Sequence, residues 1–280
     1  ALPAGAPRIL HRVVFGEGGW CALSFRRIRA AFHESNPGWE EWVWGADEVA
    51  EVLQREGRAV DRLLQLRGGN FTKYFRGLRR EWVKQTDVIR YVLLLLFGGL
   101  FMDMDVECRK SVAPLVARAP VVLRKGCKSN WISSWPSAHL WVLLLREVVT
   151  QNASRAALEH TGEGRLCALL RRLSLDGSWG GGQCPDDGRG ACGTCEDDDP
   201  PARSACSRNS SVFFVPVATI GEFRSQGSPL APGQVCVHRS FQSWKHKRGA
   251  DGACSDVYSG ALQGEALLQR SREILAARRT

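Results

Sequence analysis

The sequence predicts an α/β layered domain, and three observations carry that expectation. Short β-rich apolar runs (8–15, 39–44, 100–102, 121–123, 212–217 and 235–238) alternate with segments of helical spacing along 280 residues. Apolar residues make up 44% and charged residues 24%, enough to bury a core and too apolar for wholesale disorder. The longest apolar run, Val92 to Met102, is broken by Gly98-Gly99 and is too short for the ~30 Å of a bilayer's hydrocarbon. One domain over 1–280 is expected, with its ligand at the carboxyl ends of the strands. The chain opens with neither Met nor a signal-like leader, so any membrane anchor is expected upstream of Ala1.

Arg8 to Phe15, opening after Pro7 and closing at Gly16, reads as a first buried strand. Trp20 to His33 has helical spacing (Leu23, Ile28, Ala31, Phe32) and is stopped by Asn36-Pro37-Gly38. Trp39 to Trp44 is a second strand and Asp47 to Glu56 a helix, while 57–77 matches neither period clearly. Glu81 to Phe97 is a strong helix ended by Gly98-Gly99, residues suited to a left-handed C-terminal turn. Leu100-Phe101-Met102 follows as a buried strand that emerges into Asp103-Met104-Asp105. Ser111 to Ala117 and Val121 to Leu123 continue the alternation. Ser137 to Thr150 and Gly164 to Leu173 read as helices, Val212 to Val217 and Val235 to His238 as strands, and Gly264 to Arg279 as a closing helix.

Residues 177–209 form an insertion without periodicity, rich in Cys, Asp and Gly. Cys184, Cys192, Cys195 and Cys206 crowd there, and disulfides are the expected state. A four-cysteine zinc site is the alternative, but only Cys192 and Cys195 supply a CxxC pair. Ten cysteines, with glycosylation triplets at Asn70, Asn152 and Asn209, favour an oxidising secretory compartment. The net charge of +9 suits an anionic partner such as a sugar nucleotide, a phospholipid surface or nucleic acid, or simply a solvated basic surface. No Lys/Arg run is long and no nucleic-acid motif is present, so a nucleic-acid partner is not expected.

The chemistry is concentrated at Asp103 and Asp105. In extended chain the side-chain period of two sends both carboxylates to one side. Such a pair repels itself unless a cation lies between, and oxygen ligands suit Mn²⁺ or Mg²⁺. A bare DxD arises readily by chance: Asp197 to Asp199 supplies another, which reads as a solvated turn in the acidic insertion. Context distinguishes the first. An apolar strand delivers it, a Gly-Gly turn precedes the strand, and the helix before that turn carries Asp87, Arg90 and Tyr91 on one face.

Thr86 to Tyr91, followed by Phe97 to Val106, resembles the core signature of the DXD sugar-binding glycosyltransferases, relatives of the yeast Golgi initiating α-1,6-mannosyltransferase and the inositol-phosphoceramide mannosyltransferases. Pro7 to Arg12, Asn36 to Glu40 with Trp44, Asn130, His160-Thr161-Gly162, and Val237-His238 with Ser243-Trp244 resemble flanking motifs of that family in the expected order. The resemblance implies a GT-A-type mixed, mostly parallel sheet flanked by helices, and a metal-dependent transfer that retains anomeric configuration. It implies a nucleotide-sugar donor (GDP-mannose favoured, a UDP-sugar the alternative), a glycan or glycolipid acceptor, and a Golgi or other secretory lumen. It places Asp103 and Asp105 as catalytic metal-site residues joined by His238. Asp87, Arg90, Tyr91, Gly98, Gly99, His11 and Trp244 fall on the donor side, Asn130 and Trp131 on the acceptor side. Gly162-Glu163 departs from the family's usual Gly-Pro.

Other function classes are weaker. No Ser/His/Asp or Cys/His triad is legible and a P-loop is absent. A glycosidase would set its carboxylates ~5 to 9 Å apart across a sugar, usually from different strands. A catalytically idle sugar- or nucleotide-binding domain of the same fold is the alternative that the intact Asp and Arg residues oppose.

Overall fold

The computed structural model describes residues 6–15, 23–66, 71–78, 81–124, 128–150, 161–175, 212–215, 219–221, 233–239 and 260–279. Trp244, His160, the insertion with its four cysteines, its second DxD, and the three sequon asparagines lie outside the described residues. In chain order the elements are β1 (Ile9–Val13), α1 (Leu23–Ser35), β2 (Glu40–Trp44), α2 (Ala46–Leu64), α3 (Phe71–Gly77), α4 (Trp82–Phe97), β3 (Gly99–Met102) and β4 (Val106–Cys108). They continue as α5 (Ala113–Val116), β5 (Val121–Arg124), β6 (Lys128–Ser134), α6 (His139–Thr150), α7 (Glu163–Leu175), β7 (Val212–Val215), β8 (Ile220–Gly221), β9 (Cys236–His238) and α8 (Gly264–Ala277).

Six strands form one mixed sheet in the order β2-β1-β3-β6-β5-β7. β1 runs parallel to β2 and β3, and β5 parallel to β7, while β6 opposes both its neighbours. The expected mostly parallel α/β sheet is therefore present. Strand alternation divides the core. Ile9, Val13 and Phe101 pack with α2, α4 and α6, whereas Leu10, Leu100 and Met102 pack with Phe32 of α1 and with the small sheet β4-β9-β8. From Asp87 to Phe97 every residue of α4 is buried, so this apolar run is a core helix, each large side chain contributing about 1.5–3 kcal/mol. Among the described residues no helix is long and apolar enough to cross a membrane.

The elements depart from the sequence expectation in two main respects. α2 continues through Gly57 to Leu64 because its buried stripe (Val49, Val52, Leu53, Val60, Leu64) persists and Gly57 admits Thr72 of α3 at close approach. β4, β6 and β8 have no counterpart among the expected strands. β6 carries Ser129, Asn130, Ser133 and Ser134, too polar for an apolar run, and is buried only because β3 and β5 flank it.

The α4–β3 junction has a specific requirement. Gly98 has φ 65° and ψ −159°, a glycine conformation that differs from the expected left-handed helical turn. Gly99 has φ 97°, and a Cβ there would sit 2.5 Å from the Ile9 carbonyl oxygen in the neighbouring strand. Arg278, just beyond α8, donates to the Leu96 and Phe97 carbonyls at the end of α4. Substituting Gly99→Ala should destabilise the fold by roughly 3 kcal/mol, from backbone strain together with overpacking. Chemical denaturation measures this, and an unchanged midpoint would show that the junction has room for a methyl group.

Candidate active site

β3 carries the chain to Asp103, and β4 leaves from Val106, so Met104 and Asp105 form a turn. The Val106 N–H donates to the Asp103 carbonyl at 3.1 Å and closes it. The two carboxylates converge through this turn, which corrects the expectation that extended-strand alternation aligns them. Asp103 is fixed from other sides as well. Its N–H donates to the Asn130 carbonyl at 3.0 Å, and its carbonyl accepts from Arg12 Nη1 at 2.9 Å.

His238 arrives by register. β9 pairs antiparallel with β4, setting His238 opposite Val106, and the Arg239 N–H donates to the Asp105 carbonyl at 2.8 Å. His238 Nε2 lies 3.1 Å from Asp105 Oδ1. One ligand atom each from Asp103, Asp105 and His238 lies within 4.8 Å of the other two. A disulfide between Cys108 and Cys236, two pairs along, locks the same register across a sequence separation of 128. Cys167 is disulfide-bonded too.

Behind the metal-type cluster lies a closed ring of hydrogen bonds. Arg90 Nη2 approaches Asp87 Oδ1 at 2.9 Å and Asp103 Oδ1 at 3.6 Å. Arg90 Nη1 donates to the Ser129 carbonyl at 2.6 Å and to its hydroxyl at 2.7 Å. The Ser129 N–H reaches Glu163 Oε1 at 3.3 Å, Lys128 Nζ donates to Glu163 Oε2 at 2.9 Å, and Thr161 Oγ1 donates to Asp87 Oδ2 at 3.1 Å. Arg90 also stacks over Phe101, its Cζ 4.7 Å from the ring centre. The guanidinium is thus engaged by protein acceptors on both Nη atoms and anchors two carboxylates.

Electrostatics follow from this burial. Desolvation pushes the Asp87 carboxyl up to about 6, against the opposing charge of Arg90 and the Thr161 hydrogen bond. Desolvation likewise raises Asp103, with Arg90 opposing and Asp105 reinforcing. For His238, burial disfavours the charged ring, but the Asp105 hydrogen bond and the charges of Asp105 and Asp103 prevail and raise its pKa. Arg90 is held above its ordinary value by Asp103 and Asp87 despite burial.

The remaining expected residues fall elsewhere. His11 is fully buried, with Nε2 2.8 Å from the Gly98 carbonyl, while Nδ1 accepts from Trp44 Nε1 at 3.1 Å, and desolvation lowers its pKa to about 4. It serves the core beside Trp42, Trp44 and Phe97. Tyr91 is enclosed and stacks on Trp141 at 5.5 Å. Trp131 is fully buried opposite Met102 in the sheet, and Asn130 braces Asp103 from the same strand. Gly98 and Gly99 act through the junction described above. Sequence reasoning missed Arg12, which bonds the buried Glu41 at 2.8 Å, as well as Ser129, Thr161 and Glu163.

Asp87 ionises at 3.8 by its ordinary value and at about 6 in the fold, so the fold loses stability as pH rises across that window and holds a constant penalty above it. Relative to Asp87→Asn, the wild type should lose about 3 kcal/mol of unfolding free energy from acid to neutral pH. Denaturant titrations of both proteins at several pH values test this; parallel profiles would remove the shift.

Residues 28–122 match the family described as glycosyltransferase sugar-binding region containing DXD motif. A curated relative, inositol phosphoceramide mannosyltransferase 1 of Schizosaccharomyces pombe, is 31% identical over 108 residues, 37% of this chain and 30% of that protein. The chain therefore matches under a third of that relative's length. Among solved structures, the PaToxG glycosyltransferase aligns at 14% identity over 62% of this chain and 72% of its own, with a TM-score of 0.49. The galactosyltransferase LgtC in complex with donor and acceptor sugar analogs aligns at 11% identity over 96% and 95%, with a TM-score of 0.37. At these scores the structural likenesses carry no argument about this chain's chemistry. The segment that matches that family, Ile28 to Val122, contains Asp87, Arg90, Asp103 and Asp105.

Proposed function

We propose that this chain is a metal-dependent glycosyltransferase that moves a hexose, mannose favoured, from a nucleoside-diphosphate sugar to a glycan or glycolipid acceptor with retention of configuration. The observation that carries the reading is the convergence of Asp103, Asp105 and His238 within 4.8 Å, in a segment of the sugar-binding family. Two carboxylates and one imidazole, without a thiol, form a donor set that fits Mn²⁺, with Mg²⁺ the alternative. When bound there, the ion supplies positive charge against the diphosphate leaving group. Asp105 and His238 would hold it from the turn and from β9, and Asp103 from the end of β3.

The protein's own groups supply the rest. Asp87, oriented by Arg90 and Thr161, retains lone pairs to accept from donor-sugar hydroxyls. The acceptor hydroxyl is proposed to attack on the face of the departing phosphate. Mannose draws support from the name of the yeast relative, and a secretory lumen from the Cys108–Cys236 disulfide.

A panel of nucleotide sugars, assayed with and without Mn²⁺, tests the proposal: one donor should be hydrolysed or transferred only with the ion present. Release of no nucleotide from any donor would leave the idle-domain alternative. Substituting Asp105→Asn should lower turnover by at least ~10²-fold while the fold persists, consistent with losing a charge-stabilising element. Near-wild-type turnover in that variant would remove Asp105 from the metal site. Proton NMR of the first-formed product should show the donor's anomeric configuration, and the opposite anomer would refute retention.

A further inference from the structure

We infer that Glu163 is a positioning residue for the donor-sugar pocket, acting through Ser129 on Arg90. The inference rests on the proposal that Asp87 and Arg90 serve the donor sugar. Glu163 opens α7, and its two carboxylate oxygens hold β6: Oε1 accepts from the Ser129 N–H at 3.3 Å and Oε2 from Lys128 Nζ at 2.9 Å. Ser129 in turn offers both its carbonyl and its hydroxyl to Arg90 Nη1, at 2.6 and 2.7 Å. Arg90 grips Asp87, and Asp87 accepts from Thr161, two residues before Glu163. The start of α7 therefore closes the ring from both ends.

The consequence is geometric. Without the Glu163 carboxylate, the β6 backbone at Ser129 loses its tether to α7, and Arg90 loses the fixed pair of acceptors that aims its other Nη toward Asp87. Asp103 is less exposed to the change, because Arg12 and Val106 fix its backbone from outside β6. Donor binding should suffer more than cation binding.

Glu163→Pro removes the carboxylate at the first helical position, where proline is well accommodated. Glu163→Gln keeps an amide oxygen able to accept from the Ser129 N–H. We expect Glu163→Pro to raise donor KM about tenfold, with Mn²⁺ affinity, read by electron paramagnetic resonance without donor, within about threefold of wild type. Its melting temperature should stay close to wild type, and Glu163→Gln should recover most of the KM. Equal KM in the two variants, or joint loss of KM, Mn²⁺ affinity and melting temperature in Glu163→Pro, would reduce Glu163 to a helix-stabilising residue and overturn the inference.

A donor-independent measurement separates this inference from the proposed function. The Arg90 Nη1–H protons, which bond Ser129, should exchange faster with solvent in Glu163→Pro and remain protected in Glu163→Gln. If no nucleotide sugar is turned over by the wild type, the functional reading fails, yet that contrast still upholds the ring. Identical Arg90 signals in wild type and both variants would sink it.

Discussion

The arrangement depends on how carboxylates are kept together away from water. Asp87 and Asp103 both carry raised pKa values from burial, and Arg90 is the cation set between them. An unpaired buried carboxylate would simply take up a proton, so the guanidinium is what keeps anionic oxygens available in a partly dry site. Phe101 beneath Arg90 and Ser129 beside it leave the guanidinium one orientation. The geometry of α4, β3, β6 and α7 can be understood as the means of meeting at that one side chain.

A second buried network stabilises the other flank. Glu41 accepts from Arg12 at 2.8 Å and from Arg29 at 2.8 Å, with His33 2.9 Å away, and these partners hold its carboxyl well below the usual range despite burial. Arg12 continues from Glu41 to the Asp103 carbonyl, so the first two strands of the sheet reach the DXD turn through a charge-assisted contact. The small sheet holds the opposite side of the turn, where the β4–β9 register and its disulfide fix His238 against Asp105.

What was legible in the sequence was what depends on near neighbours. Asp87 and Arg90 share a helical face by spacing alone, and an apolar strand ending at Asp103 announces itself. The convergence of Asp103 and Asp105 was expected, but for the wrong local reason, since a turn and not strand pleating achieves it. His238 was placed through resemblance, while its physical basis, pairing of β9 with β4, joins segments too distant for periodicity to reveal. β6 was invisible because burial there comes from its neighbours and not from its own serines and asparagine. The resemblance places His11 on the donor side, yet an aromatic cage and two ring-nitrogen contacts hold it in the core. Glu163 stood out only as a departure; its meaning required the positions of Ser129 and Arg90.

The closure of α4 by Arg278 and the supply of His238 by β9 bear on how the molecule is made. The segment that carries the family signature lies within residues 28–122, yet its helix terminus and its third candidate ligand come from residues 233–279. During synthesis, residues 28–122 are therefore made before the segments that bring His238 beside Asp105 and Arg278 to the end of α4. The Asp103, Asp105 and His238 cluster and the closure of α4 are complete only once the distal portion has been translated and docked, a late event in the life of the nascent chain.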